Sequence, residues 1–272
     1  MSITTPNLFA YRELITALAW KNIVVRYKQA YLGLLWAVIK PVMLMLIFTL
    51  VKSFVGIETG DIPYPILTFA ALMPWIFFQE SASEGVNSIT ANTALIKKIY
   101  FPREVFPLTA MVTKLVELAI GFFILAALMA YYQILPSIHA LWVPALIFYT
   151  MLVALTISLF GSALNVYYRD VAQALPVLLS LAMYASPVIY PLSLVKAKLI
   201  DEQAAGEWSN ALYTIYNINP LAGIIDSFQK CLLQGIAPDF NSLLPGFIAT
   251  IVFLPISYLY FKKAENWFAD II

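Results

Sequence analysis

Long apolar runs, broken only by short links that hold most of the Lys and Arg, constrain this chain more than any other feature. A helix that crosses a hydrocarbon layer about 30 Å thick needs roughly 20 predominantly apolar residues at 1.5 Å each. The segment at about 33 to 54, which contains VMLMLIFTLV, meets that demand, and further segments fall at about 64 to 82, 108 to 132, 141 to 166, 172 to 192 and 243 to 261. The expected fold is therefore all-α and polytopic, with six transmembrane helices in one domain over 1–272. Composition agrees: 62% of residues are hydrophobic and 11% charged, against about 25% charged in soluble domains.

The same charges set an orientation. Arg12, Lys21, Arg26, Lys28, Lys97, Lys98, Arg103, Arg169, Lys262 and Lys263 fall on one side of a six-crossing arrangement, against Lys52, Lys196, Lys198 and Lys230 on the other. Basic flanks favour the cell interior, so both termini are expected to be cytoplasmic. The first twenty residues lack the basic start, unbroken apolar core and cleavage pattern of a signal peptide, and are expected to stay on the mature protein. A net charge of +1 with no long basic tract argues against a nucleic-acid partner. One cysteine, Cys231, and one histidine, His139, supply neither a disulfide framework nor a soft-ligand metal site.

Three connections carry most of the polar character. Residues 7–31 form a cytoplasmic interface region, in which Asn7 can cap a helix whose Leu8, Tyr11, Ile15 and Leu18 share one face. Residues 83–104 are the largest internal loop and end in FPREVFP, where Pro102 and Pro107 disfavour an uninterrupted helix. Residues 193–240 form an external segment containing NPLAGIIDSFQKCLLQG, whose Leu221, Ile225, Phe228 and Leu232 make an apolar stripe with Asp226, Gln229 and Lys230 elsewhere. That pattern predicts an external amphipathic helix, lying on the rim or shallowly re-entrant.

No GxxxxGK[ST] loop occurs, so any ATP must be handled by another subunit, and HExxH, paired-Cys and GxSxG patterns are also absent. Glu80, Glu84 and Glu104 can be read as the carboxylates of a metal-assisted membrane transferase, or as span-end groups paired with nearby Lys and Arg. Lys114 and Glu117, three apart on one face, can compensate each other inside the protein or act as a titrating pair in a proton-coupled carrier.

Several motifs occur in order along most of the chain: RYKQAYLGLLWAVIKP from Arg26 to Pro41, FPREVFP from Phe101 to Pro107, NVYYRDV from Asn165 to Val171, ASPVIYP from Ala185 to Pro191, and INP from Ile218 to Pro220. In this the chain resembles the permease subunits of type-two ABC exporters, most closely those of O-antigen and related polysaccharide export, with teichoic-acid exporters similar. The resemblance implies a non-enzymatic transport subunit of the bacterial inner membrane. It would be a homodimer, joined to two cytoplasmic nucleotide-binding subunits that hold ATP and Mg, with no cofactor in this chain. It also implies a cargo of glycan on undecaprenyl diphosphate, destined for lipopolysaccharide, with a drug or other small lipid as the competing cargo.

Carried onto this chain, the resemblance makes Glu84, Asn87, Lys98, Arg103 and Glu104 coupling candidates, together with Arg169 and Asp170 at the second internal turn. Arg26, Lys28, Lys40 and Arg103 are candidates for the lipid diphosphate, because charge-assisted bonds can offset its desolvation. Rings that a sugar chain could slide past are Phe69, Trp75, Tyr131, Tyr132, Trp142, Tyr184 and Tyr190, although aromatic residues also form ordinary belts at the membrane interface.

Overall fold

A computed structural model describes residues 8–28, 33–56, 62–99, 101–201 and 209–271. Asn7, the QAYL portion of the first motif, and Glu58, Gly60 and Asp61, which fall in the short polar link between the first two apolar segments, lie outside the described residues. Among those described, all regular structure is helical.

A short 3-10 turn leads into α1 (Arg12–Lys28), which precedes α2 (Trp36–Val55). Gly56 closes α2 in the left-handed region at φ +71°, donating its N–H to the Lys52 carbonyl at 2.9 Å, a conformation glycine adopts without steric cost. Then come α3 (Tyr64–Asn87), α4 (Thr93–Lys98) and α5 (Val105–Tyr131). The 3-10 turn Ile138–Trp142 runs into α6 (Val143–Tyr167), followed by α7 (Val171–Tyr184) and α8 (Leu192–Lys196). The chain finishes with α9 (Ser209–Asn217), α10 (Pro220–Gln229), α11 (Phe240–Glu265) and α12 (Phe268–Ile271).

Among the described residues, four stretches are long and apolar enough to cross a membrane: α2, α5, α6 with its leading turn, and α11. Helix α3 has the length, at 24 residues, but carries Gln79, Glu80 and Glu84 toward one end. It is the centre of the molecule, packed by α2, α5, α6, α7 and α10, with Ile66 through Trp75 buried without a break. Small residues let these helices approach: a Cβ on Gly161 would fall 2.5 Å from Val86 Cγ2, and one on Gly246 would fall 2.5 Å from Pro220 Cα.

The structure corrects three sequence expectations. Helix α3 continues through Ser83–Asn87, where the sequence predicts loop, and Ser83 and Asn87 are accommodated there by donating to the carbonyls one turn earlier. Helix α5 starts at Val105 rather than 108 and takes Pro107 into its first turn, where a missing N–H leaves no helical bond unmade. The fifth apolar segment ends as helix at Tyr184, not 192. Its 14 residues reach about 21 Å, and the ASPVIYP run leaves the helix as a series of tight turns.

Helix α10 departs furthest from an exposed amphipathic helix. All nine residues from Leu221 to Gln229 are buried, because α10 inserts between α3, α6 and α11. Two of its polar side chains have partners: Gln229 Nε2 donates to the Leu67 carbonyl at 3.2 Å, and Asp226 pairs with Lys230 at 2.7 Å. The rim position is excluded.

Candidate functional site

Six charged side chains from four helices meet at one end of α3. Glu80 and Glu84 lie one turn apart on α3, Lys114 and Glu117 lie three apart on α5, Arg26 comes from the end of α1, and Lys40 comes from the second turn of α2. The centre is Lys114, whose side chain is 4% exposed. Its Nζ lies 2.6 Å from Glu80, 3.0 Å from Glu84 and 2.8 Å from Glu117. An ammonium has three donors and no acceptor, so three carboxylates satisfy it. Arg26 bridges Glu117, at 2.8 Å, and Glu84, while Lys40 pairs with Glu80.

Tyr27 completes the ring by donating its hydroxyl to Glu117 at 2.8 Å. Burial, followed by that hydrogen bond, pushes the Tyr27 phenol up to about 12, so it keeps its proton at ordinary pH and remains the donor. Three cations against three carboxylates make the cluster neutral as a whole, so Lys114 at its centre is held away from water at tolerable cost while Arg26 and Lys40 stay partly exposed. Beside it lies a cavity of about 330 Å³ with Lys40, Glu80 and Lys114 at one end and Leu72, Met73 and Phe77 at the other.

A second ion cluster ties the FPREVFP motif to the end of α11. Lys262 lies 2.6 Å from Glu104 and 2.7 Å from Glu265, and Glu265 accepts the Arg103 backbone N–H at 3.1 Å. Arg103 is itself buried and donates from Nη1 to the Phe101 carbonyl at 2.9 Å. Glu104 stands at the N-terminal end of α5, where the helix dipole favours a carboxylate.

The sequence candidates therefore separate by place. Glu84, Arg26 and Lys40 converge in the first cluster, and Arg103 and Glu104 belong to the second. Lys28 and Lys98 are exposed and form no ion pair among the described residues. Asn87 and Arg169 line a groove shared with Lys97 and Asn165, while Asp170 stays on the surface. The same NVYYRDV motif held a residue the sequence reading passed over. Asn165 is buried, donates to the Val86 carbonyl and Thr90 Oγ1, both at 3.3 Å, and accepts the Ala172 N–H at 3.1 Å. It joins the ends of α3 and α6 to the start of α7; an amide at the end of an apolar span was its only sequence signal.

The aromatic candidates divide as well. Phe69 and Trp75 are fully buried in the core. Tyr131, Trp142 and Tyr184 are exposed, and Tyr132 packs partly against the core. Tyr190 lies half-buried, donating to the Tyr184 carbonyl at 3.1 Å with its hydroxyl 3.3 Å from that of Tyr216.

Comparison with known proteins accounts for the chain from end to end. It is 28% identical to the O-antigen export system permease protein RfbA of Myxococcus xanthus over 267 residues, 98% of each chain. It is 29% identical to an RfbA of Klebsiella pneumoniae over 271 residues, 98% of this chain and 97% of that one. The capsule polysaccharide export inner-membrane protein CtrC of Neisseria meningitidis is 26% identical over 171 residues, 61% of each chain. A family model described as ABC-2 type transporter matches residues 13–233, which take in the charge cluster and the buried α10 alike. The chain belongs to the ABC-2 type transporter family.

Proposed function

We propose that this chain is the membrane subunit of an exporter that moves a lipid-linked polysaccharide of the O-antigen class across the bacterial inner membrane, driven by ATP hydrolysis in a separate subunit. The observation that carries this reading is the match to two O-antigen export permeases over 98% of this chain. In the complete assembly two copies pair and each engages one cytoplasmic ATPase, which holds the ATP and Mg. Six crossings follow if α3 and α7 join the four long apolar stretches, with the turns after α7 completing the fifth. Both termini are then cytoplasmic, and the Arg26–Lys40–Lys114 cluster lies at the inner face.

At that face a lipid diphosphate needs cations that can turn toward it. Arg26 and Lys40 are already engaged by carboxylates, so they reach a diphosphate only by exchanging partners, whereas Lys28 is exposed beside them. The test is ATP-dependent movement of polymer in proteoliposomes containing this chain and its ATPase. The expected result is transfer of the glycan to the far side, with Lys40→Met reducing the rate and leaving ATPase binding intact. Selective transport of a small hydrophobic solute, with no polymer moved, would replace this reading with that of a drug or small-lipid exporter.

A further inference from the structure

The cavity beside the charge cluster has segregated walls. From Glu80 the apolar wall runs back along α3 through Ile76 and Met73 to Leu72, eight residues, or about 12 Å of helix. Its mouth is on the outside of the molecule: Trp36 is 55% exposed and the Lys40 side chain 47%. Small residues keep the slot open. Ala37 and Gly121 both line it, and a Cβ on Gly121 would lie 2.6 Å from Met73 Sδ, displacing that side chain. A space with charges at one end, an apolar slot behind them and an opening beside an exposed Trp has the form of a site for one amphiphile.

The charges select among amphiphiles. The cavity end holds Arg26, Lys40 and Lys114, and facing them are Glu80 and Glu117, with Glu84 bonded to the same cations. Each cation that lines the cavity is already paired, so a headgroup with net negative charge enters only by displacing a carboxylate and leaving it unpaired. A zwitterion exchanges with existing ion pairs without leaving net charge behind. The accessible cations, Lys40 and Arg26, suit a phosphate, and Glu80 and Glu117 suit an ammonium. Because carboxylates accept hydrogen bonds, a primary ammonium satisfies them and a trimethylated one does not.

We propose that this cavity binds one zwitterionic phospholipid of the phosphatidylethanolamine class, its headgroup in the cluster and part of one acyl chain between α2, α3 and α5. The inference does not depend on what the exporter carries. The probe is the full chain in nanodiscs of equimolar phosphatidylethanolamine, phosphatidylcholine and phosphatidylglycerol, released for native mass spectrometry. One phosphatidylethanolamine per chain is expected to survive release in preference to the other two. Ala37→Phe, which fills the slot, and Lys40→Gln, which removes the exposed cation, are each expected to lower that adduct roughly tenfold. Lys40→Gln lies at an exposed position and keeps the test available if Ala37→Phe does not fold. Equal retention of the three lipids, preferential retention of phosphatidylglycerol, or adducts unchanged in the variants would each overturn the proposal.

Discussion

Helices α3 and α11 are of similar length, 24 and 26 residues, yet they solve opposite problems. Helix α11 is the more apolar and the more exposed: only 22% of its most apolar window is buried, and Ile248, Ile251, Val252, Phe253 and Ile256 face outward. Helix α3 is enclosed by five neighbours and carries Gln79, Glu80 and Glu84 inside that packing, whereas the charges of α11, Lys262, Lys263 and Glu265, fall at its last turn. In water the buried helix would be the apolar one. Here lipid surrounds the protein, so the outermost helices must be apolar all round, and polar groups can exist only where protein covers them and supplies partners. Low hydropathy in a long helical segment thus marks the interior of this molecule.

The largest expected effect comes from emptying the centre of the charge cluster. Lys114→Met leaves Glu80, Glu84 and Glu117 facing only Arg26 and Lys40, and breaking a buried ion network by removing one partner costs roughly 3–5 kcal/mol. Thermal unfolding in detergent should record that loss. Adding Glu84→Gln, which restores the balance of charges, should recover part of it. Full stability in the single variant would mean that the cluster is hydrated rather than enclosed.

A smaller effect is expected where α3 meets α6. Gly161→Leu inserts a side chain at a point where even a Cβ meets Val86 at 2.5 Å, and overpacking of this kind costs about 1–3 kcal/mol. The smallest belongs to α11: Phe253→Ala at a 57% exposed position should change stability by less than about 0.5 kcal/mol. The same detergent unfolding series ranks all three. A Phe253 effect as large as that of Gly161 would erase the difference between the two helices.

Much of this arrangement was legible in sequence. The apolar runs located α2, α5, α6 and α11 to within a few residues, because a bilayer imposes a length that composition must meet. The three-residue spacing of Lys114 and Glu117 correctly marked a compensating pair. What sequence could not supply was the rest of that pair's company: Arg26 and Glu117 are 91 positions apart, and only the packing of α1 on α5 brings them together. Helix α10 misled for a related reason. An apolar stripe describes one buried face, and although Lys230 stands four residues after Asp226, nothing local revealed that Gln229 on the other face would meet the Leu67 carbonyl, 162 positions away. Phe69 and Trp75 lie in the core, and sequence could not place them there because an aromatic residue in a lipid-crossing segment has the same signature in the core and at a lumen. Asn165 was missed because one amide carries no period.

The most direct test of the central claim is photolabelling in intact membranes with an apolar carbene reagent dissolved in the lipid, followed by peptide mass spectrometry. The account predicts label on Ile251 and Phe253 of α11 and none on α3 between Leu67 and Trp75. Equal labelling of the two helices would contradict it.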